Sequence, residues 1–376
     1  MDTWKSRIAV LIVLLPICAF AQKATPSDAI ALEQQGKLPE ATQAWRGWIA
    51  QHPGDAAAFA SLGVLLSRQQ KYAEAASAYR KALTLNPKLP GMQLNLGLAE
   101  FKQEHFAAAV APLKAALVAD PKSMQARMLL GLSYYGAKKF PEAVKELKIA
   151  ATADPANIEL HRVLAQSCLS AKDYNCALEE YRVILQQNPD SAAAHVLTGE
   201  ALDGLGRTDE AIAEFQAAVK AGPREPNVYF GLGYLYWKTR QYDDAKREFE
   251  EELKVDPRHA QALAYLGDIE LKKDRPDEAL SYLRKATEIR NDVRIAYIDL
   301  GVVLAQKKQY EEAVTALKRA VELDPEEPDG HYRLGRVYQE MGNTVESRKE
   351  LAKVKELRAK ADARVSKKPG PPSSHE

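Results

Sequence analysis

Three cysteines in 376 residues are too few for a disulfide-built scaffold or a four-cysteine zinc site. An excess of charge of one sign is missing too. The chain has 52 Lys and Arg against 51 Asp and Glu, a net charge of +1. That argues against a broad nucleic-acid surface, because phosphates are neutralised by a basic stripe. Catalytic signatures are lacking as strings: there is no HExxH, no glycine-rich phosphate loop with a following lysine, no GxSxG and no paired CxxC. What is present is an ordinary mix, 46% apolar and 27% charged, which excludes a largely disordered polymer.

The first 21 residues read as an export signal. Lys5 and Arg7 give a positive start, residues 8–15 form an unbroken apolar run, Pro16 follows, and Ala19-Phe20-Ala21 has the small-x-small pattern of a signal-peptidase site. A membrane anchor needs about 20 apolar residues, and this run ends sooner. A lipid anchor on Cys18 is the other alternative, but Pro16 and Ile17 stand where lipoprotein signals carry small residues. The expectation is a cleaved signal, no membrane span after cleavage, and a periplasmic or extracellular location. Cleavage removes Asp2, Lys5 and Arg7 and leaves acidic and basic residues equal in number.

Prolines reveal a period in the rest. Pro53, Pro87, Pro121, Pro155, Pro189, Pro223 and Pro257 are each 34 residues apart, Asn291 takes the next slot, and Pro325 resumes the series. A small-residue ladder runs in phase: Gly63, Gly97, Gly131, Ala165, Gly199, Gly233, Gly267, Gly301, Gly335. Alanine recurs from Ala41 through Ala75 and Ala109 to Ala313, and a bulky ladder runs from Trp45 and Tyr79 to Leu317 and Leu351. Within one period, Leu62, Gly63 and Leu66 share a helical face, as do Ala75, Tyr79 and Ala82. Small residues belong where two antiparallel helices cross closely, and the bulky residue fills the volume beside the crossing. Acidic pairs such as Asp209-Glu210 and Glu311-Glu312 suit the start of the second helix. Pro39, Pro141 and Pro276 suit its first turn. Asn-Pro and Asp-Pro pairs stop it, because the residue before proline is pushed out of α geometry.

The pattern resembles the tetratricopeptide repeat family over residues 22–361. It parses into ten units: 22–55, 56–89, 90–123, 124–157, 158–191, 192–225, 226–259, 260–293, 294–327 and 328–361. Departures are Ala at 29 and 165, Asp28 and Thr198 where leucine is usual, Asn291 for proline, and a degenerate last unit. The resemblance implies an all-α, right-handed superhelical solenoid of helix hairpins, with the first helix of each hairpin lining a concave groove. Such arrays share a continuous core between neighbours and need solubilising ends. The Lys- and Arg-rich last helix fits that task, and residues 362–376, without an apolar face, are expected to be disordered.

His161 and His195 occupy equivalent sites, and Cys168 follows His161 by two helical turns. Phe59, Tyr229, Leu263 and Tyr297 hold the same position elsewhere, so the imidazoles are expected to pack rather than bind metal, and no cofactor is implied. Cys168 and Cys176 flank the turn of one hairpin. A disulfide fits an oxidising compartment; two buried thiols acting as small hydrophobes are the alternative. Intact mass of the exported protein should correspond to a chain starting at Gln22 and lie about 2 Da (two hydrogen atoms) below the dithiol form. Thiol labelling of unreduced protein at both cysteines would overturn the bond.

Partner recognition is expected on the stripe of each first helix that faces away from its hairpin partner. In the third and fourth repeats it is apolar: Leu94, Leu98, Phe101, then Met128, Leu132, Tyr135. It turns polar with Glu159, Arg162, Gln166, Glu200 and Asp203, and the seventh repeat brings Phe230, Tyr234 and Trp237. Aromatic side chains and arginine among polar groups are what binding hot spots contain. The same side chains could instead complete the packing between neighbouring first helices. Family members that grip acidic chaperone tails carry Lys and Asn on this stripe; Pro26, Ile30, Ala60, Val64, Leu94 and Leu98 stand here instead. The resemblance therefore implies a non-enzymatic scaffold for a protein or peptide, in the cell envelope if the source is Gram-negative. A glycan or small ligand stacked on the seventh-repeat aromatics is the alternative.

Overall fold

The computed structural model describes residues 25–366. The expected signal segment, with Cys18, and residues 367–376 lie outside the described residues. Among the described residues there are twenty α-helices and no strand. They divide into two compact units, with the boundary after Ala171. The first holds α1 (Pro26–Gln34), α2 (Leu38–Gln51), α3 (Ala56–Arg68), α4 (Tyr72–Leu85), α5 (Met92–Lys102), α6 (Phe106–Ala119), α7 (Met124–Gly136), α8 (Phe140–Ala153) and α9 (Ile158–Ser170). The second holds α10 (Tyr174–Gln187), α11 (Ala192–Gly204), α12 (Thr208–Ala221), α13 (Val228–Lys238), α14 (Tyr242–Val255), α15 (Ala260–Lys272), α16 (Pro276–Ile289), α17 (Arg294–Gln306), α18 (Tyr310–Leu323), α19 (Pro328–Glu340) and α20 (Thr344–Ser366). Within each unit, every odd-numbered helix except α9 packs against the even-numbered helix that follows, and each even-numbered helix packs against the first helix of the next hairpin.

The ladders meet as their residue types require. A Cβ built on Gly63 would lie 2.5 Å from the Tyr79 ring, on Gly97 2.5 Å from Leu113, and on Gly267 2.6 Å from Leu283. No real side chain fits there without moving the paired helix. The alanine ladder is completely buried from Ala41 to Ala313. Burial of these two faces supplies the main favourable term, at about 25 cal/mol per Å² of apolar surface removed from water.

Inside each hairpin that lies within one unit the chain reverses through one left-handed residue. Gly36, Gly206 and Gly342 fill that place in three hairpins; Gln70, Glu104, Lys138, Arg240, Asp274 and Lys308 fill it in the others, with φ between 55° and 62°. Non-glycine residues pay a steric penalty there, held in place by the helices on both sides.

In four repeats a polar side chain reaches back to the carbonyl of the boundary proline. Arg127 Nη2 donates to the Pro121 carbonyl at 3.0 Å and Nη1 to Glu146 at 2.8 Å. In the second unit, His195 lies 2.6 Å from Glu214 and 2.9 Å from the Pro189 carbonyl oxygen. His331 repeats this with Glu350 and Pro325, at 2.6 and 3.3 Å. His161 sits 3.2 Å from the Pro155 carbonyl oxygen. These imidazoles stand as hydrogen-bonding clips. Cys168 and Cys176 are both buried, and neither is a free thiol.

The last helix differs from expectation. It continues through Ser366, so the first residues of the segment expected to be loose are helical. Ala359, Lys360, Ala361, Ala363 and Arg364 are strong helix formers, and no helix-stopping proline occurs before Pro369.

Candidate partner-binding face

The expected binding residues fall on first helices in both units. In the first unit Leu94, Leu98, Phe101, Met128, Leu132, Tyr135 and Gln166 are half-buried, while Glu159 and Arg162 are exposed and joined at 2.7 Å. Phe101 meets the edge of Phe106 at 5.6 Å, and Tyr135 meets Phe140 at 6.0 Å. Each ring is thus braced by the first residue of its hairpin's second helix. This strip is apolar and mostly uncharged.

The second unit builds a different face. Phe230, Tyr234 and Trp237 of α13 are half-buried and converge with Tyr265 of α15, whose ring lies 5.9, 5.7 and 4.9 Å from theirs. Tyr265 also stacks on Phe249 at 5.5 Å, which fixes the cluster to the core. Burial, with Tyr234, Asp268 and Asp299 close by, pushes the Tyr265 hydroxyl up to about 12. Trp237 Nε1 donates to Asp268 Oδ2 at 2.5 Å. Lys272 pairs with the same carboxylate and lies 5.5 Å from the Trp237 ring. Beside them, on α17, Asp299 is 7% exposed and its Oδ2 has no hydrogen-bond partner. Burial first, and the Asp268 charge second, raise its carboxyl to about 7, against the opposing pull of Lys272 and Arg333.

The position of α13 has its own cause. Pro226 precedes Asn227, which takes φ 67° and offers no side-chain cap, so the helix starts two residues later than most first helices. The missing acceptor comes from α14. Glu252, completely buried, accepts from the Asn227 N–H at 3.0 Å and the Phe230 N–H at 3.1 Å. His259 Nε2 donates to Asn227 Oδ1 at 2.9 Å, and its ring lies 4.7 Å from Phe230. One buried carboxylate therefore sets where the aromatic strip begins.

Two hollows open on this face. One, of about 430 Å³, lies between α11 and α13 and is lined by Val196, Glu200, Asp203, Phe230 and Tyr234. Asp203 is paired with Lys238 at 2.6 Å. Glu200 has no hydrogen-bond or ion-pair partner among the described residues, and desolvation raises its carboxyl above the usual range. The other hollow, about 360 Å³, lies between α17 and α19 beside Val302, Tyr332, Arg333 and Arg336. Arg333 is held by Asp329 at 3.0 Å, whereas Arg336 has no such partner among the described residues.

Tyr265, Asp268, Asp299 and Arg336 were not anticipated from sequence. Glu200, Tyr234, Asp268, Val302 and Arg336 share one repeat position, each 34 residues on, so following that register past the seventh repeat finds two of the four. Tyr265 and Asp299 sit three residues earlier in the repeat and carry no comparable signal. Among the described residues no helix is long and apolar enough to cross a membrane, and no cluster of three His, Cys, Asp or Glu side chains could hold a metal ion.

Stacked helix hairpins define a helical-repeat protein. The tetratricopeptide repeat profile matches residues 28–90, 94–158, 160–226 and 230–293, and a second TPR repeat profile matches 301–342. The chain belongs to the tetratricopeptide repeat family, whose members are generally protein-interaction scaffolds. No curated protein matches it significantly. Among solved structures it is similar to the APC/C hetero-tetramer Cut9-Hcn1 at 12% identity, covering 88% of this chain and 80% of that one with a TM-score of 0.53. It is also similar to a tetratricopeptide repeat protein from Parabacteroides merdae ATCC 43184, at 17% identity, 66% and 98% coverage and a TM-score of 0.47. YrrB, described as a TPR protein with an unusual peptide-binding site, is 24% identical over 49% of this chain and 94% of its own, with a TM-score of 0.40. At these identities the likeness concerns fold.

Proposed function

We propose that the protein is an exported, non-enzymatic scaffold of the cell envelope that holds a peptide or partner protein on the inner face of its first helices. The observation that carries this is the α13 strip. Phe230, Tyr234 and Trp237 stay half-buried, and the first two line a hollow of about 430 Å³, while the neighbouring helix α14 covers its surface with ion pairs such as Arg247 with Asp244 at 2.8 Å. Aromatic groups left partly uncovered on a rigid support are inexpensive to dock against, because little side-chain entropy is lost. Hairpins take up the described chain from Pro26 onward, which supports recognition over catalysis. Export rests on the pattern of residues 1–21. A sugar ring would have to displace both Lys272 and Tyr265 from Trp237, which favours the protein partner.

Tyr234→Ala combined with Trp237→Ala should reduce capture of the partner from an envelope extract by about tenfold or more, with helical circular dichroism unchanged. Trp237→Phe, which keeps a ring and gives up the bond to Asp268, separates the packing contribution. Undiminished capture by the double variant would remove the face from consideration.

A further inference from the structure

We propose that the inner face of the second unit binds an extended segment of opposed charge, with a basic residue at its α11 end, an acidic group at its α19 end, and apolar or aromatic residues between. This rests on the binding role proposed for that face and assigns the chemistry of what it takes.

Glu200, Tyr234, Asp268, Val302 and Arg336 recur at one repeat position on α11, α13, α15, α17 and α19. The middle of the row carries no unanswered charge: Tyr234 and Val302 are neutral, and Asp268 is taken up by the Trp237 N–H and Lys272. Next to the row, Asp203 is held by Lys238 and Arg333 by Asp329. The two ends differ. Glu200 and Arg336 are exposed, border separate hollows, and have no ion-pair partner among the described residues.

Each end suits one kind of group. At Glu200 the hollow is walled by Phe230 and Tyr234, so an incoming Arg or Lys meets a carboxylate and ring faces together. At the other end Arg336 stands beside Tyr332, which is 43% exposed, and offers a planar fork to a carboxylate. Glu340, one turn further along α19, makes no ion pair with it. Four helix-to-helix steps of roughly 8–10 Å separate the ends, a span that an extended chain covers in about ten to twelve residues. A segment with like charges at both ends would set one of them against its own sign, which is how the face would reject wrong partners.

A random twelve-residue peptide library displayed on phage and panned against the purified full-length protein tests this. Enriched sequences should pair one Arg or Lys with one Asp or Glu near opposite ends. The strongest peptide, labelled and titrated by fluorescence anisotropy, should bind Glu200→Arg and Arg336→Glu each about tenfold more weakly. Replacing the peptide's basic residue with Glu should restore binding to Glu200→Arg. Both positions are exposed, so the variants should keep wild-type circular dichroism. Enriched peptides without paired charges, lost on Tyr234→Ala but indifferent to both reversals, would overturn the charge assignment and leave the binding face standing. No enrichment and no measurable binding would overturn both.

Discussion

Replacing Glu252 with alanine is expected to destabilise the second unit by about 3–5 kcal/mol, because it removes a buried acceptor and strands two backbone donors. Glu252 is completely buried and accepts from the Asn227 and Phe230 N–H groups. An N-cap residue normally does this for its own helix, but Asn227 at φ 67° does not. Repeat arrays lose stability locally, through the unit and its neighbour interfaces, so one melting curve would blur the effect. Amide hydrogen exchange resolves it: protection should fall at residues 227–230 first and spread along α13. Glu252→Gln keeps one acceptor oxygen and should lose roughly half as much. Unchanged protection in the alanine variant would show that α13 is held by its packing alone. Because Phe230 is one of the two residues anchored, the same variant should also weaken capture through the aromatic face.

Asp299→Asn should stabilise the protein above neutral pH, by on the order of 2–4 kcal/mol at pH 8, and leave it nearly unchanged below pH 4. The native carboxyl titrates at about 7, against an ordinary value of 3.8, chiefly because it is buried. Between those values the folded state keeps a proton that the unfolded chain has released. Wild-type stability from this group is therefore present in acid, declines as pH rises toward 7, and is flat beyond. Asparagine imitates the protonated form at every pH. Denaturation of both proteins across pH 4 to 8 gives a difference that should open upward over that window; a constant difference would mean Asp299 titrates as an ordinary surface carboxylate. The variant also bears on binding, since Asp299 lies beside the aromatic cluster without touching either of the unpaired end charges.

Much of the architecture was legible because it is local and periodic. Gly63 and Tyr79 are sixteen residues apart, and a Cβ on one would strike the other; the same spacing recurs at Gly97 and Leu113 and at Gly267 and Leu283. A pair that must touch in every hairpin leaves a small-and-large signature in every period. The turn between the helices left no such mark. Its left-handed residue is glycine in only three hairpins, because two flanking helices can hold Gln70 or Lys308 in a conformation those residues would not choose alone. The division after Ala171 likewise has no counterpart in a register that runs unbroken through it.

The candidate face shows the same divide. Phe230, Tyr234 and Trp237 stood out because aromatic residues at helical spacing are visible in a linear text. Tyr265 did not, although its ring is what gathers theirs, and neither did Glu252, whose role depends on Pro226 having delayed the helix it caps. Sequence alone determined the repeat length, the helix pairing and the faces that close on one another, since those follow from side-chain size and period. Tertiary structure decided which charges are answered and which are left open. Asp268 and Glu200 occupy the same repeat position, yet one is neutralised by Trp237 and Lys272 and the other is not. That difference is electrostatic and depends on side chains arriving from different helices, so no single period of the sequence contains it.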